Sequence, residues 1–231
     1  MDNFTNDIEE ITYSDLLRSF QEFVTVFFHS LLHQRALYPS PTFDVVTRFN
    51  VVLYQNRHPG VRDYINELVN QIIDHVSQGT VSRISFVILS TLETPLERYV
   101  IDVSQFPRVS KGEQEYIIDD LNFTWNELQQ QYRAVLVRLA TISPSFGKLP
   151  PYCTFTAMLE TQHDDPALWN YESPWTLASR QDMKGKNREL TYQGQPQVWA
   201  VKSRPIRRVD AGLFSFSVWL EEGKSKDKLP S

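Results

Sequence analysis

The sequence predicts an α+β fold: three helices packed on a mostly antiparallel sheet, followed by a C-terminal segment that is loop-like first and strand-like later. Three observations lead there. Three long stretches repeat apolar side chains every three or four positions. Shorter runs that are unbroken or alternate with period two lie between and after them. From residue 162 to about 195 both periodicities fade, and a long segment with little structure of its own inside a small protein is usually functional or disordered. At 231 residues the length fits a single domain, with a core at about 12–161, an appendage at about 162–222 and a tail at 223–231.

Residues 13–37 form the first helix. Leu16, Phe20, Phe23, Phe27 and Leu31 make its stripe, and Leu17, Val24, Phe28 and Leu32 widen it. Only Arg18, Glu22, Thr25, His29 and His33 make a polar strip, so the helix is buried on most sides. Tyr38-Pro39-Ser40-Pro41 stops it, because proline cannot continue a helix and disfavours helical geometry in the residue before it. Pro59 opens a second helix, where its missing N–H costs nothing. Val61, Ile65, Leu68, Ile72 and Val76 form the stripe, Tyr64, Val69 and Ile73 flank it, and Gly79 follows as a stop.

Two strands come next. Ile84–Leu89 is nearly continuous, as in a strand covered on both faces. Arg98–Val103 alternates, with Tyr99, Ile101 and Val103 on one face, and the connection through Pro95 is of hairpin length. The third helix is expected over about 113–142, on the stripe Ile117, Leu121, Trp125, Leu128, Tyr132, Val135 and Leu139, with Ser143-Pro144 closing it. Residues 152–161 alternate as a strand with Cys153, Phe155, Ala157 and Leu159 inward. Two further strand-like runs are Val198–Lys202 and Leu213–Leu220. In the second, Phe214, Phe216, Val218 and Leu220 share one face, and Ser215, Ser217 and Trp219 the other.

Composition narrows the function. One cysteine excludes an internal disulfide framework and a cysteine-based zinc ribbon, and it fits a reducing compartment. The acidic N-terminus MDNFTNDIEE lacks the features of a signal peptide, and no apolar run approaches the ~20 residues of a membrane span, so a soluble protein is expected. A net charge of −5 argues against general nucleic-acid affinity. The charge is uneven: residues 180–208 hold eight basic residues against two acidic ones. That stretch reads either as a solvated loop or as a surface for an acidic partner or nucleic acid.

The residue types that carry catalysis are present but badly arranged. The eight glycines are scattered and form no phosphate-cradling loop. His29 and His33 have metalloprotease spacing, but Ser30 stands where that motif needs a glutamate, and both are expected on the solvated strip. Cys153 with His163 could make a nucleophile pair. On the apolar face of a strand, with nothing nearby to lower its pKa, the thiol reads instead as core packing. The adjacent pairs Asp119-Asp120 and Asp164-Asp165 diverge and read as solvated charges. No catalytic residue, metal ligand or cofactor is indicated.

Several stretches resemble the HORMA-domain family, and the resemblance runs from about residue 12 to 222. The first helix ends Leu31-Leu32-His33-Gln34-Arg35-Ala36-Leu37-Tyr38-Pro39 before Thr42-Phe43, and Phe86-Val87-Ile88-Leu89 … Leu96-Glu97-Arg98-Tyr99-Val100 makes the strand–hairpin unit. Asn56-Arg57-His58-Pro59 with Asp63-Tyr64-Ile65, Cys153-Thr154-Phe155-Thr156, and Pro174-Trp175-Thr176-Leu177-Ala178 with Gln181-Asp182 are similar to the branch that serves translesion DNA polymerase zeta as its accessory subunit. The resemblance implies a HORMA domain whose segment 162–222 is a safety belt. It implies a non-catalytic adaptor in DNA damage tolerance, with a nuclear location and a cytoplasmic one as the alternative or addition. A proline-containing peptide of the polymerase's catalytic subunit would lie against the sheet edge under the belt, at Tyr64, Trp175 and Leu177. Trp219 would meet a second partner, the C-terminal domain of the deoxycytidyl-transferase scaffold polymerase, and Arg133 would serve HORMA–HORMA pairing. HORMA signalling in the spindle checkpoint or the meiotic chromosome axis is the alternative role.

Overall fold

The computed structural model describes residues 11–109, 112–118, 124–161, 175, 200–212 and 214–223. Helix α1, Tyr13–Gln34, starts at a reciprocal cap. The Thr12 hydroxyl accepts from the Asp15 N–H at 3.1 Å, and the Asp15 carboxylate accepts from the Thr12 N–H at 3.2 Å. Its apolar faces are fully buried, as the sequence predicts. Helix α2, Pro59–Ser77, has the expected proline in its first turn. Strands β3, Val81–Leu89, and β4, Pro95–Asp102, pair as an antiparallel hairpin.

Helix α3 departs from expectation. It spans Trp125–Ile142, not 113–142. Thr124 caps it by accepting from the Glu127 N–H, so the helix begins where a side chain can satisfy its first free donors. The residues before it serve the N-terminus instead: Ile118 N–H donates to Ile11 O at 2.7 Å, Ser14 N–H to Gln114 O at 3.0 Å, and Ile117 is 53% exposed. Leu121 lies outside the described residues.

Strand β5, Thr154–Thr161, follows α3, and Cys153, Phe155, Ala157 and Leu159 pack toward the core as expected. The two late strand-like runs are longer than the sequence suggests. They are β6, Ala200–Ala211, and β7, Phe214–Gly223, joined through Gly212 at φ 63°. Residues 162–174 and 176–199, most of the expected belt, lie outside the described residues.

The sequence reading gives no element to residues 43–56, yet they form an antiparallel hairpin of β1, Phe43–Arg48, and β2, Val51–Asn56. Phe49 and Asn50 both take positive φ, 51° and 54°, as the tight two-residue turn requires. Neither the glycine that usually marks such a turn nor clear alternation is present, because Val45 and Val52 point outward, 65% and 64% exposed.

The main sheet is antiparallel, in the order β5-β3-β4-β7-β6. The helices share one face of it. Phe20 and Phe23 of α1 meet Phe216 of β7 at 5.4 Å, Tyr132 of α3 stacks on Phe23 at 4.6 Å, and Phe28 meets Phe86 of β3 at 5.0 Å. Aromatic pairs at these separations add specific geometry to a core whose main driving force is burial of apolar area.

Candidate functional site

The sheet ends on one side at β5, which pairs with β3 and has no second strand among the described residues. Such an edge presents unpaired N–H and C=O groups along its length. Beside it α2 supplies Tyr64, Glu67, Leu68 and Gln71, β5 supplies Thr156 and Ala157, and Trp175 completes the lining of a groove of about 280 Å³.

Two of the groove's lining residues, Tyr64 and Trp175, are aromatic. Phe155 stacks on the core residue Phe86 at 4.9 Å. Tyr64 meets Phe155 edge-on at 5.8 Å while remaining 48% exposed. It does not pack in the core as its place beside the helix stripe would allow; burial of its ring edge raises its hydroxyl pKa, and Tyr38 adds to the effect. Trp175 is half-buried against the hydrophobic core and meets the His75 ring edge-on at 6.2 Å. Burial holds His75 below the usual histidine range, against an opposing pull from Asp74. Two of the three residues expected at one site, Tyr64 and Trp175, therefore line one groove. Leu177 lies outside the described residues.

The other expected contacts are elsewhere. Trp219 sits on β7 on the face away from the helices, half-buried, its indole N–H donating to Glu221 Oε1 at 2.8 Å. Arg133 is exposed on α3, beside the buried Tyr132. Of the basic stretch 180–208, residues 180–199 lie outside the described residues; Lys202, Arg207 and Arg208 are exposed, and Arg204 donates to Glu222 at 2.7 Å.

The candidates for chemistry separate further. Burial pushes the Cys153 thiol up, Glu97 adds to that, and the thiol donates to Pro150 O at 3.2 Å. His163, Asp119-Asp120 and Asp164-Asp165 lie outside the described residues. Among the described residues no group of histidine, cysteine and carboxylate side chains could hold a metal ion.

His29 and His33 correct the sequence reading, which puts both in solvent. His33 is half-buried and stacks on Tyr54 of β2 at 3.8 Å. His29 is 1% exposed, and its Nδ1 accepts from the Asn56 N–H at 3.4 Å. The unexpected β1–β2 hairpin covers this side of α1. Burial, and secondarily the Arg62 charge, lowers the His29 pKa to about 4. A histidine depressed in the folded state takes its proton first in the unfolded state, so its contribution is intact above pH 6.5 and is lost as pH falls toward 4. At about 1.4 kcal/mol per pH unit that amounts to about 3 kcal/mol. Urea unfolding at pH 7.5 and pH 4.5 should therefore show a fall in stability that His29→Gln reduces; an equal fall in wild type and variant would refute the assignment.

A family model described as HORMA domain matches residues 17–193. The chain is 26% identical to the DNA polymerase zeta processivity subunit of Schizosaccharomyces pombe, over 90% of this chain and 93% of that one. It is 27% identical to the mitotic spindle assembly checkpoint protein MAD2B of Gallus gallus, over 89% and 90%. Among solved structures, a chain of the mitotic checkpoint complex superposes with a TM-score of 0.65 at 18% identity, covering 93% of this chain and 98% of that one. Caenorhabditis elegans HTP-1 bound to a HIM-3 closure motif superposes with a TM-score of 0.64 at 13% identity, covering 92% of each.

Proposed function

The chain belongs to the HORMA domain family, and from that premise we propose that it is a non-catalytic adaptor that captures a proline-containing peptide at the β5 edge. Residues 162–222 act as the belt that encloses the peptide, and residues 1–231 work as one domain. The observation that carries this reading is the edge of β5, unpaired among the described residues, beside the Tyr64–Trp175 groove. A strand added there gains backbone hydrogen bonds along the edge, while the groove receives alternate side chains. Enclosure by the belt slows release more than it changes capture. Hairpin β6–β7 is seated against β4, on the opposite side of the sheet from that edge, so edge and hairpin do not compete.

The peptide belongs to the catalytic subunit of DNA polymerase zeta, with Tyr64, Trp175 and Leu177 as its contacts. Trp219 receives the C-terminal domain of the deoxycytidyl-transferase scaffold polymerase, and Arg133 serves pairing of two HORMA domains. The complex acts in the nucleus in replication past damaged DNA. The similarity to a polymerase zeta processivity subunit supports this branch. The likeness to MAD2B and to a closure-motif complex supports a second reading, a signalling adaptor of the spindle checkpoint or meiotic axis that uses the same edge.

Calorimetry of the full chain against proline-containing peptides of a polymerase zeta catalytic subunit, and against closure-motif peptides, separates the two. Binding of the first set alone supports the polymerase role. Binding of the second set alone supports signalling and rejects it, and no binding by the folded protein overturns peptide capture altogether. Two further readings face simple tests. Cys153→Ala should leave peptide binding unchanged, whereas a cysteine hydrolase would lose its activity. Duplex DNA should bind negligibly at 150 mM salt; steeply salt-dependent affinity would instead give the basic stretch a direct role.

A further inference from the structure

On the sheet face away from the helices, two arginines lie across the strands and close a ring of charged and aromatic groups. Glu160, on edge strand β5, accepts from Arg83 Nη1 at 3.0 Å and also from Arg98 Nη2. Arg98 Nη1 lies 3.6 Å from Glu221 on β7. Glu221 accepts from the Trp219 indole, and the Arg83 guanidinium lies 5.7 Å from the centre of the Trp219 ring, which closes the circuit. Asp102 accepts from Arg83 Nε at 3.1 Å, and Ser85 accepts from Arg98 Nε at 2.9 Å. Ser85, Val87 and Val100 on the same face are buried.

Isolated surface ion pairs contribute little, but this arrangement differs from one. Each guanidinium is shared between partners on different strands, so neither arginine can follow one partner without leaving another. The circuit runs from β5 across β3 and β4 to β7, about 14 Å at the usual strand spacing. It reaches from β5, the outer strand among the described residues, to Trp219.

We propose that Arg83 and Arg98 are positioning residues that tie the orientation of the Trp219 indole to the state of the β5 edge, so that a strand added to β5 is registered at Trp219. An added strand excludes water from the flank of β5, which strengthens the pull of Glu160 on both arginines. Arg83 then moves relative to the indole, and Arg98 relative to the carboxylate that holds the indole N–H. The chain of contacts is physically continuous, so it offers a route for coupling between the two sites. The functional meaning rests on the reading above, in which β5 receives a peptide and Trp219 a second partner.

The test is fluorine NMR of the full chain labelled with 5-fluorotryptophan, with the Trp219 signal assigned by its loss in Trp219→Phe. Glu160→Gln, which alters the β5 side of the circuit and touches Trp219 only through the arginines, should displace the Trp219 signal and leave that of Trp125 on α3 in place. In an Arg83→Met/Arg98→Met background, or Arg83→Lys/Arg98→Lys should the first not fold, Glu160→Gln should add no such displacement. A Trp219 signal unmoved by Glu160→Gln in folded protein would overturn the proposal. So would an equal displacement without the two arginines, because the effect would then travel through the backbone. A proline-containing peptide that binds in calorimetry should move the Trp219 signal in wild type and fail to move it in the arginine variants. If no such peptide binds, the capture reading fails, while the Glu160→Gln comparison, made without peptide, still decides the tie.

Discussion

Trp175→Ala should weaken peptide binding by about 30- to 1,000-fold, or ~2–4 kcal/mol, while leaving the fold intact. The expectation follows from the site's geometry. Trp175 is half-buried, packed against the core and edge-on to His75, and it lines the groove that Tyr64 shares. A large aromatic in that position gives an incoming side chain a rigid wall and excludes water around it, as binding hot spots do. Its truncation removes part of the groove's lining but none of the backbone hydrogen bonds of the β5 edge. The association rate should therefore change little and the loss should lie in faster dissociation. Tyr64→Ala should be weaker than wild type as well, with Phe155 left uncovered. Calorimetry checks affinity and stopped-flow checks the rates. A Trp175→Ala protein that binds as wild type does would remove Trp175 from the site.

The second large effect is on stability. Glu97→Ala should lower the free energy of unfolding by roughly 3–5 kcal/mol. Glu97 on β4 is 0% exposed and is held by Arg35, at the end of α1, through two hydrogen bonds of 2.8 and 2.7 Å; the Arg35 side chain is 6% exposed. Arg35 also donates to Gly147 O at 2.8 Å, and the Tyr99 hydroxyl donates to Glu97 at 2.8 Å. Burial, with the Glu97 charge second, keeps that tyrosine hydroxyl protonated far above its ordinary range. On the neighbouring strand Glu222 faces Glu97 in register and pairs with Arg204, and both guanidiniums lie over the Phe146 ring at 5.8 and 5.6 Å. Removing Glu97 leaves a buried guanidinium without its carboxylate, and the cost of that uncompensated charge exceeds the net value of the pair itself. Arg35→Met/Glu97→Leu, which removes both charges, should cost less than Glu97→Ala alone. Urea unfolding measures both; a Glu97→Ala loss below about 1 kcal/mol would show that the pair is dispensable.

How much of this was legible in the sequence depends on the kind of signal each element carries. Helices α1 and α2 were legible because their apolar stripes are long and their ends carry proline or glycine. Strand β5 and its inward residues were legible because Phe155, Ala157 and Leu159, which pack against the core, recur with period two in the chain. Hairpin β1–β2 was not, because it covers α1 without burying a full face of its own and turns on Phe49-Asn50. The start of α3 was misread because apolar spacing continues upstream through Ile117, which the tertiary structure uses to pair with Thr12 instead.

The candidate site divides in the same way. By itself the sequence determined the fold class, through periodicity, and the family resemblance, through local motifs; the resemblance in turn implied Tyr64, Trp175 and Leu177 as site residues. Only the tertiary structure decided that Tyr64 and Trp175 share one groove, that β5 is the outer strand beside it among the described residues, and that hairpin β6–β7 is seated on β4. It alone decided that His29 is buried, and that Glu97 meets Arg35 across 62 positions of chain. The reason is physical. Periodicity records whether a residue faces the core, but not which partner it meets there. That is set by strand order and helix packing, which bring distant residues together without a local trace in the sequence.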